Sequence, residues 1–329
     1  MNFVTIILAA IALCALAVII WLVAMHRRTG AIAREAERLV PATGKTLEIE
    51  GNRIHYVETG EGPPILLIHG LGGHHHHMRP LMAPLGDSFR VISLDRAGSG
   101  WSTRAAGMTG NLREQARLIA RFIDEMGLER PVLVGHSLGG AIALATALDY
   151  PDKVSGLALI SPLTHSFDEV PPEFRPLYIP NRFLRRLVAH TIAVPTSVRN
   201  AEKTLAFVFG PQQPPADYAI EGGGMLGLRP SHIFATSTDI VAVGNDLPAL
   251  QDRYGELAMP VGVLFGTEDR VLDHIRHGLA MKEKVGGIEL EIVEGVGHMP
   301  QYSQTRLVAD FIRRISRKAF ETGKADMQA

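Results

Sequence analysis

The segment Gly135-His136-Ser137-Leu138-Gly139-Gly140 follows the apolar run of residues 131–134 and directly precedes a helix-prone stretch over residues 141–148. That order asks for a sharp strand-to-helix turn with a serine at its tip. Glycines two residues either side of Ser137, at Gly135 and Gly139, remove the side chains that would collide with the adjoining strand and helix. The turn also aims the start of the following helix at the serine, so N–H groups and a positive helix end lie where an oxyanion would form. Ser137 is therefore the candidate nucleophile.

Unbroken apolar runs, typical of strands buried on both faces, recur at residues 65–68, 91–94, 132–134, 157–160 and 261–265, with 290–293 a more polar, edge-like version. Helical patterns fall between them, at 112–126, 141–148, 274–285 and 307–315. This alternation predicts an α/β fold with a mostly parallel sheet covered on both faces. A hairpin is expected ahead of it, from two short alternating segments around Gly51-Asn52. The alternation stops between about 163 and 257, an interval holding prolines, a Gly222-Gly223-Gly224 run and amphipathic stretches at 183–188 and 198–209. Because strands resume afterwards, that interval predicts a helical cap inserted over the ligand edge of the sheet.

Residues 3–25 are apolar apart from Thr5 and carry no ionised side chain before His26-Arg27-Arg28, a length sufficient to cross a bilayer core of about 20 residues. An uncleaved anchor is expected over 1–28. A cleaved signal peptide is the rival, but Met1-Asn2 offers no basic leader. Arg27, Arg28, Arg34, Arg38 and Lys45 all follow the span, so positive-inside bias puts the bulk of the chain in the cytoplasm. A juxtamembrane stalk over 29–45 then leads to a core of 46–163 and 258–320, with a cap over 164–257 and a tail at 321–329. The 33 basic and 34 acidic side chains nearly cancel, which leaves no field to recruit nucleic acid. The single cysteine, Cys14, lies inside the apolar run, so neither an internal disulfide nor a cysteine metal cluster is available.

Ser137 needs a base, and the base needs a carboxylate to hold its tautomer. Among 14 histidines, His298 in Gly297-His298-Met299-Pro300 follows the last predicted strand, which brings it to the same sheet edge as the elbow. His274 and His277 fall on a predicted helix, and His190 and His232 in the insertion. Asp269 ends the strand before that histidine, giving the chain order Ser, Asp, His, with Glu268 and Asp273 as its rivals. The loop His69-Gly70-Leu71-Gly72-Gly73 offers a second oxyanion donor: Gly70 lets the backbone turn inward, so the Leu71 N–H joins that of Leu138.

Taken together with Asp95-Arg96-Ala97-Gly98-Ser99-Gly100-Trp101-Ser102, these motifs resemble the α/β-hydrolase-fold serine hydrolases, in the right order over about 46–320. The resemblance implies a Ser137, His298, Asp269 triad, an amide oxyanion hole, no cofactor, and a cap that shapes substrate choice. Ala97 and Leu272 stand where relatives often carry proline. Haloalkane dehalogenases and epoxide hydrolases are similar in Asp95-Arg96 and the capped layout, but they use an elbow aspartate, whereas Ser137 suits acyl transfer. Asp95-Arg96 itself is expected to be a structural loop. The expected substrate is a small ester, apolar and lipid-derived by analogy with membrane-anchored monoacylglycerol lipases. The same residues would serve C–C, amide or perhydrolysis chemistry, or a slow-turnover ligand receptor. The elbow does not separate them, and oligomeric state is not legible.

The run His74-His75-His76-His77 invites a metal reading, yet four consecutive histidines cannot all face one ion in a regular element. No metal is expected. His74 and His75 are instead assigned to a polar loop or helix start at the substrate mouth. The basic run ending the last helix, Arg313 to Lys318, is expected to be a solvated face, with lipid headgroups as a secondary contact.

Overall fold

Eight strands form one sheet in the order β1-β2-β4-β3-β5-β6-β7-β8 in the computed structural model, which describes residues 2–167, 169 and 172–326. They are β1 (Lys45–Ile49), β2 (Asn52–Thr59), β3 (Pro64–Ile68), β4 (Arg90–Leu94), β5 (Val132–His136), β6 (Gly156–Ile160), β7 (Val261–Gly266) and β8 (Glu289–Val293). The hairpin β1–β2 is antiparallel and joins β4 antiparallel; every later pairing is parallel. Strands β5, β6 and β7 are buried throughout, which is why their sequences are unbroken apolar runs, whereas the edge strand β8 is half-buried and alternates with glutamate. The central register sets Ile68 beside Gly135 and Gly135 beside Leu159, so the elbow after β5 and the loop after β3 leave the sheet side by side.

Helices cover both faces. On one, α3 (Leu112–Glu125) and α4 (Leu138–Asp149) bury Phe122 and Ile142 against Leu66 and Leu133, following α1 (Phe3–Leu39) and α2 (Arg79–Gly86) in the chain. On the other, α2 contributes Leu81 and Leu85. Helix α3 starts where Asn111 caps it by accepting the Glu114 N–H at 2.8 Å. Between β6 and β7 lie α5 (Arg182–Val188), α6 (Val194–Arg199), α7 (Ala201–Phe209) and the long α8 (Pro230–Gln251). After β7 come α9 (Ala280–Lys284), α10 (Pro300–Ser303) and α11 (Thr305–Asp326), whose Phe311 and Ile312 complete the second face.

Helix α1 does not stop at the end of its apolar run. Its first part is exposed, with Phe3, Ile11, Leu16 and Ile20 bare to solvent. Its second part packs on the segment after α5, on α6 and on the turn that leads into α8. The Thr29 hydroxyl donates to the Thr191 carbonyl at 2.6 Å, Arg229 pairs with Glu37 at 2.8 Å, and Thr29 and Ala36 are buried. Residues 29–39 of the segment expected as a stalk are thus a helical continuation of the apolar run, held against the inserted helices. Among the described residues, α1 is the one helix long and apolar enough to cross a membrane.

Candidate active site

Ser137 sits between β5 and α4 with φ 54° and ψ −121°, a left-handed conformation that a non-glycine residue adopts at a cost. Two glycines make the turn possible. A Cβ on Gly135 would lie 2.5 Å from the Gly139 carbonyl oxygen, and one on Gly139 would run into the Ile68 carbonyl of β3. Both are closer than carbon and oxygen approach. The strained serine is tied down by its own N–H, which donates to the Ile160 carbonyl at 3.1 Å, and by its carbonyl, which accepts from Gly140 and Leu163.

Asp269, three residues past β7, and His298, in the loop after β8, meet at 2.8 Å between Oδ2 and Nδ1, with the carboxylate wholly buried. The other carboxylate oxygen accepts from the N–H groups of Val271 and Leu272, at 2.8 and 2.9 Å. Burial alone would raise the Asp269 pKa, but the His298 charge and these three hydrogen bonds outweigh it and hold the carboxyl below the usual carboxylate range. Because an ionised carboxylate only accepts, Nδ1 of His298 carries the proton and Nε2 is left as the basic nitrogen. The rivals lie elsewhere. Glu268 is exposed, and Asp273 caps the following turn through Ile275. His190 meets His26, and His232 bonds the Gly72 carbonyl.

The structure brings His298 against the elbow through His136, whose ring packs on it with centroids 4.8 Å apart. His136 Nε2–H donates to the His298 carbonyl at 2.9 Å, and burial holds this imidazole neutral by lowering its pKa to about 3. Among the described residues the Ser137 hydroxyl and the His298 ring make no hydrogen bond with each other. Such bonds are often long in unliganded enzymes and shorten when substrate binds.

Gly70 brings the loop after β3 against the elbow so closely that a Cβ there would lie 2.8 Å from that of Ser137. Neither the Leu71 nor the Leu138 N–H donates a hydrogen bond among the described residues. Leu138 opens α4, where orphan donors are the rule. Ser137, Leu71 and Leu138 line one cavity of about 320 Å³, walled by Leu163, Phe174 and Tyr178 and by the α8 residues Ile240 and Val243. No lysine or arginine lies in that wall among the described residues.

The assignment of His74 and His75 to the substrate mouth needs correction. Both are buried and neither lines the serine cavity. For His75 the reason is Asp95, 20 residues further along the chain. Its Oδ1 accepts from the backbone N–H and ring Nδ1 of His75, at 2.7 and 3.0 Å, and its Oδ2 from His55 Nδ1 and the Trp101 N–H, at 2.9 and 2.8 Å. The ligating atoms of His55, His75 and Asp95 lie within 4.8 Å of one another, as they would around a metal ion. Hydrogen bonding accounts for those contacts, since four donors satisfy the carboxylate directly. His76 and His77 bond Glu221 and Tyr218, so the run belongs to the framework.

A model of the alpha/beta hydrolase fold family matches residues 63–305. Haloalkane dehalogenase 2 of Mycobacterium tuberculosis is 38% identical over 122 residues, 37% of this chain and 43% of that protein, so the likeness takes in less than half of that relative. A 2-hydroxy-6-oxononadienedioate/2-hydroxy-6-oxononatrienedioate hydrolase of Burkholderia vietnamiensis is 29% identical over 273 residues, 80% of this chain and 91% of the relative. Among solved structures, a membrane phospholipase A has the same fold, with a TM-score of 0.65 at 23% identity over 96% of this chain and 98% of that one. Since the family model runs from β3 to the first residue of α11 and takes in both halves of the parallel sheet, the chain belongs to the alpha/beta hydrolase fold family.

Proposed function

We propose that the protein is a membrane-anchored serine hydrolase cleaving a carboxylic ester of an apolar, lipid-like molecule. Ser137 Oγ attacks the carbonyl carbon while His298 Nε2 takes the hydroxyl proton, and the carbonyl oxygen becomes an oxyanion facing the N–H groups of Leu71 and Leu138. Collapse expels the alcohol, which leaves with the proton from His298. Water then attacks the acyl-enzyme by the same route and releases the acid. Asp269 holds the His298 tautomer throughout and offsets the imidazolium charge. No cofactor enters these steps.

The observation that carries this reading is the buried Asp269 carboxylate on Nδ1 of a histidine packed against the nucleophile elbow. An apolar substrate is supported by the cavity wall, which offers leucine, isoleucine, valine and aromatic surface. Membrane anchoring is supported by α1 and by α5, which joins it through residues 189–193 and leaves Phe183, Leu184 and Leu187 exposed beside Arg182 and Arg186. His26 meets the His190 carbonyl, which ties the segment after α5 to the end of the apolar run. The arginines after the span favour a cytoplasmic catalytic domain.

The decisive experiment is hydrolysis of p-nitrophenyl esters graded by acyl length. Wild type is expected to turn them over with a preference for medium chains, and Ser137→Ala to be inactive. Undiminished turnover by Ser137→Ala would remove the proposal. The relative from Burkholderia vietnamiensis makes C–C hydrolysis the second reading. That relative is named for dioates, and a wall without lysine or arginine among the described residues favours the ester.

A further inference from the structure

A trans peptide is planar, with its C=O and N–H pointing in opposite directions, so fixing a carbonyl fixes the N–H of the next residue. Three donors converge on the Gly70 carbonyl: His69 Nδ1–H at 2.8 Å, Arg96 Nη2–H at 3.0 Å and the Gly73 N–H at 3.2 Å. The N–H of that same peptide belongs to Leu71, which forms the cavity wall beside Ser137 and has no other acceptor among the described residues. We propose that Arg96 and His69 are positioning residues that pin the Gly70–Leu71 peptide with its N–H toward the oxyanion, and that Asp239 of α8 holds the Arg96 guanidinium in place. The proposal rests on the serine-hydrolase reading above and names what aims one of its two amide donors.

The network leaves little freedom. Arg96 Nε–H also donates to the His69 carbonyl at 3.1 Å, and Nη1 donates to Gln115 Oε1 at 2.5 Å and Asp239 Oδ2 at 2.7 Å. The Arg96 backbone N–H donates to His69 Nε2 at 2.9 Å, which forces the proton of this imidazole onto Nδ1, where it meets Gly70. Both side chains of the Arg96–Asp239 pair are buried, at 2% and 1% exposure, and Asp239 also accepts from Arg104 at 2.5 Å. A guanidinium fork reaches two adjacent carbonyls and a carboxylate together, a geometry that a lysine ammonium cannot reproduce. A positive charge on the carbonyl side further polarises the amide and strengthens its N–H as a donor. Asp239 is followed by Ile240 and Val241, which line the cavity, so the helix that shapes the substrate site also seats the guanidinium.

The test uses the full-length protein in detergent, p-nitrophenyl butyrate as substrate, an alkyl trifluoromethyl ketone as the oxyanion-forming inhibitor, and active sites counted with a fluorophosphonate. For Arg96→Lys, kcat per titrated site is expected to fall roughly 30- to 100-fold, at or below the lower end of the roughly 100- to 1,000-fold cost of removing one oxyanion donor, because the Leu71 N–H is misaimed and not removed. Affinity for the ketone should fall by the same factor while KM stays within about 3-fold, because the ground-state carbonyl does not need the donor. His69→Gln removes the Nδ1 donor and should show the same pattern. His69→Asn places an amide N–H near the old Nδ1 position and should restore much of it. A merely structural role predicts instead fewer titratable sites with unchanged kcat per site, or a rise in KM alone; either result overturns the proposal. Should Arg96→Lys fail to fold, the His69 pair decides by itself. Ser137→Ala, measured alongside, separates the two layers: activity retained there removes the serine-hydrolase reading and this proposal with it, whereas a dead Ser137→Ala beside a fully active Arg96→Lys and His69→Gln removes the positioning proposal alone.

Discussion

Replacing Asp269 by asparagine changes one atom and, in this geometry, reverses the base. The Oδ1 atom of Asp269 is held by two backbone donors, Val271 and Leu272, at 2.8 and 2.9 Å. An asparagine has one oxygen, and turning its NH2 toward those donors would forfeit two hydrogen bonds at about 1 kcal/mol each and leave buried N–H groups facing N–H. The oxygen therefore stays, and the amide NH2 takes the Oδ2 position 2.8 Å from His298 Nδ1. That contact tolerates only an unprotonated Nδ1, so the proton moves to Nε2, and the nitrogen meant to accept the serine proton is already occupied. Loss of the correct tautomer in a Ser-His-Asp site costs about 10⁴ in kcat, or about 5 kcal/mol of barrier. The fold should survive, because shape and backbone bonds are kept. The assay is kcat for p-nitrophenyl butyrate per fluorophosphonate-titrated site at pH 7.5, with the thermal midpoint measured in parallel. A loss below about tenfold in a folded Asp269→Asn would refute the tautomer argument.

Three further outcomes follow from the packing. Gly139→Ala drives a methyl into the Ile68 carbonyl, so the thermal midpoint should fall by several degrees or the protein should fail to fold; an unchanged midpoint would mean that the elbow is looser than it stands here. Burial holds His136, His232 and His277 neutral by lowering their pKa values to about 3, 4 and 3, against about 6.5 when unfolded. The unfolded chain therefore binds more protons below pH 6.5, and stability should be full above that pH and fall as pH drops toward 4, by on the order of 4 kcal/mol per pH unit for the three together. Urea titrations at pH 7.5, 6 and 5 check this, and a flat profile would contradict it. Removing residues 1–25 should leave the thermal midpoint of the folded domain nearly unchanged, whereas removing 1–39 should lower it, because Thr29, Ala36 and Glu37 hold the inserted helices; equal midpoints would show that this clamp carries nothing.

The strands were legible to within a residue or two because sheets buried on both faces demand continuous apolar runs, and the glycines of the elbow announced a turn that only they permit. The meeting of Asp269 with His298 was legible from order along the chain, since consecutive strand ends of a parallel sheet share one edge. Helix α8 was not. Its inward face carries Thr236, Ser237 and Thr238, whose hydroxyls bond backbone carbonyls, so no apolar stripe marks it and Asp239 passes as another polar residue. What singles out Asp239 is a partner 143 positions earlier, Arg96, and no local spacing reveals such a pair. The histidine run misled for the same reason, because its polar composition suggests a surface loop and the buried carboxylate that draws it inward lies 20 residues on. Helix α11 extends past its apolar period, and α2 forms with Pro80 in its first turn and Pro84 inside it.

The central claim is that Ser137 becomes an acylating centre. Reacting the intact protein with a fluorophosphonate and mapping the adduct by peptide mass spectrometry tests it most directly: the account predicts one stoichiometric adduct on the peptide containing Ser137, absent from Ser137→Ala and strongly slowed in Asp269→Asn. An adduct on a different residue, or equal labelling of all three proteins, would contradict it.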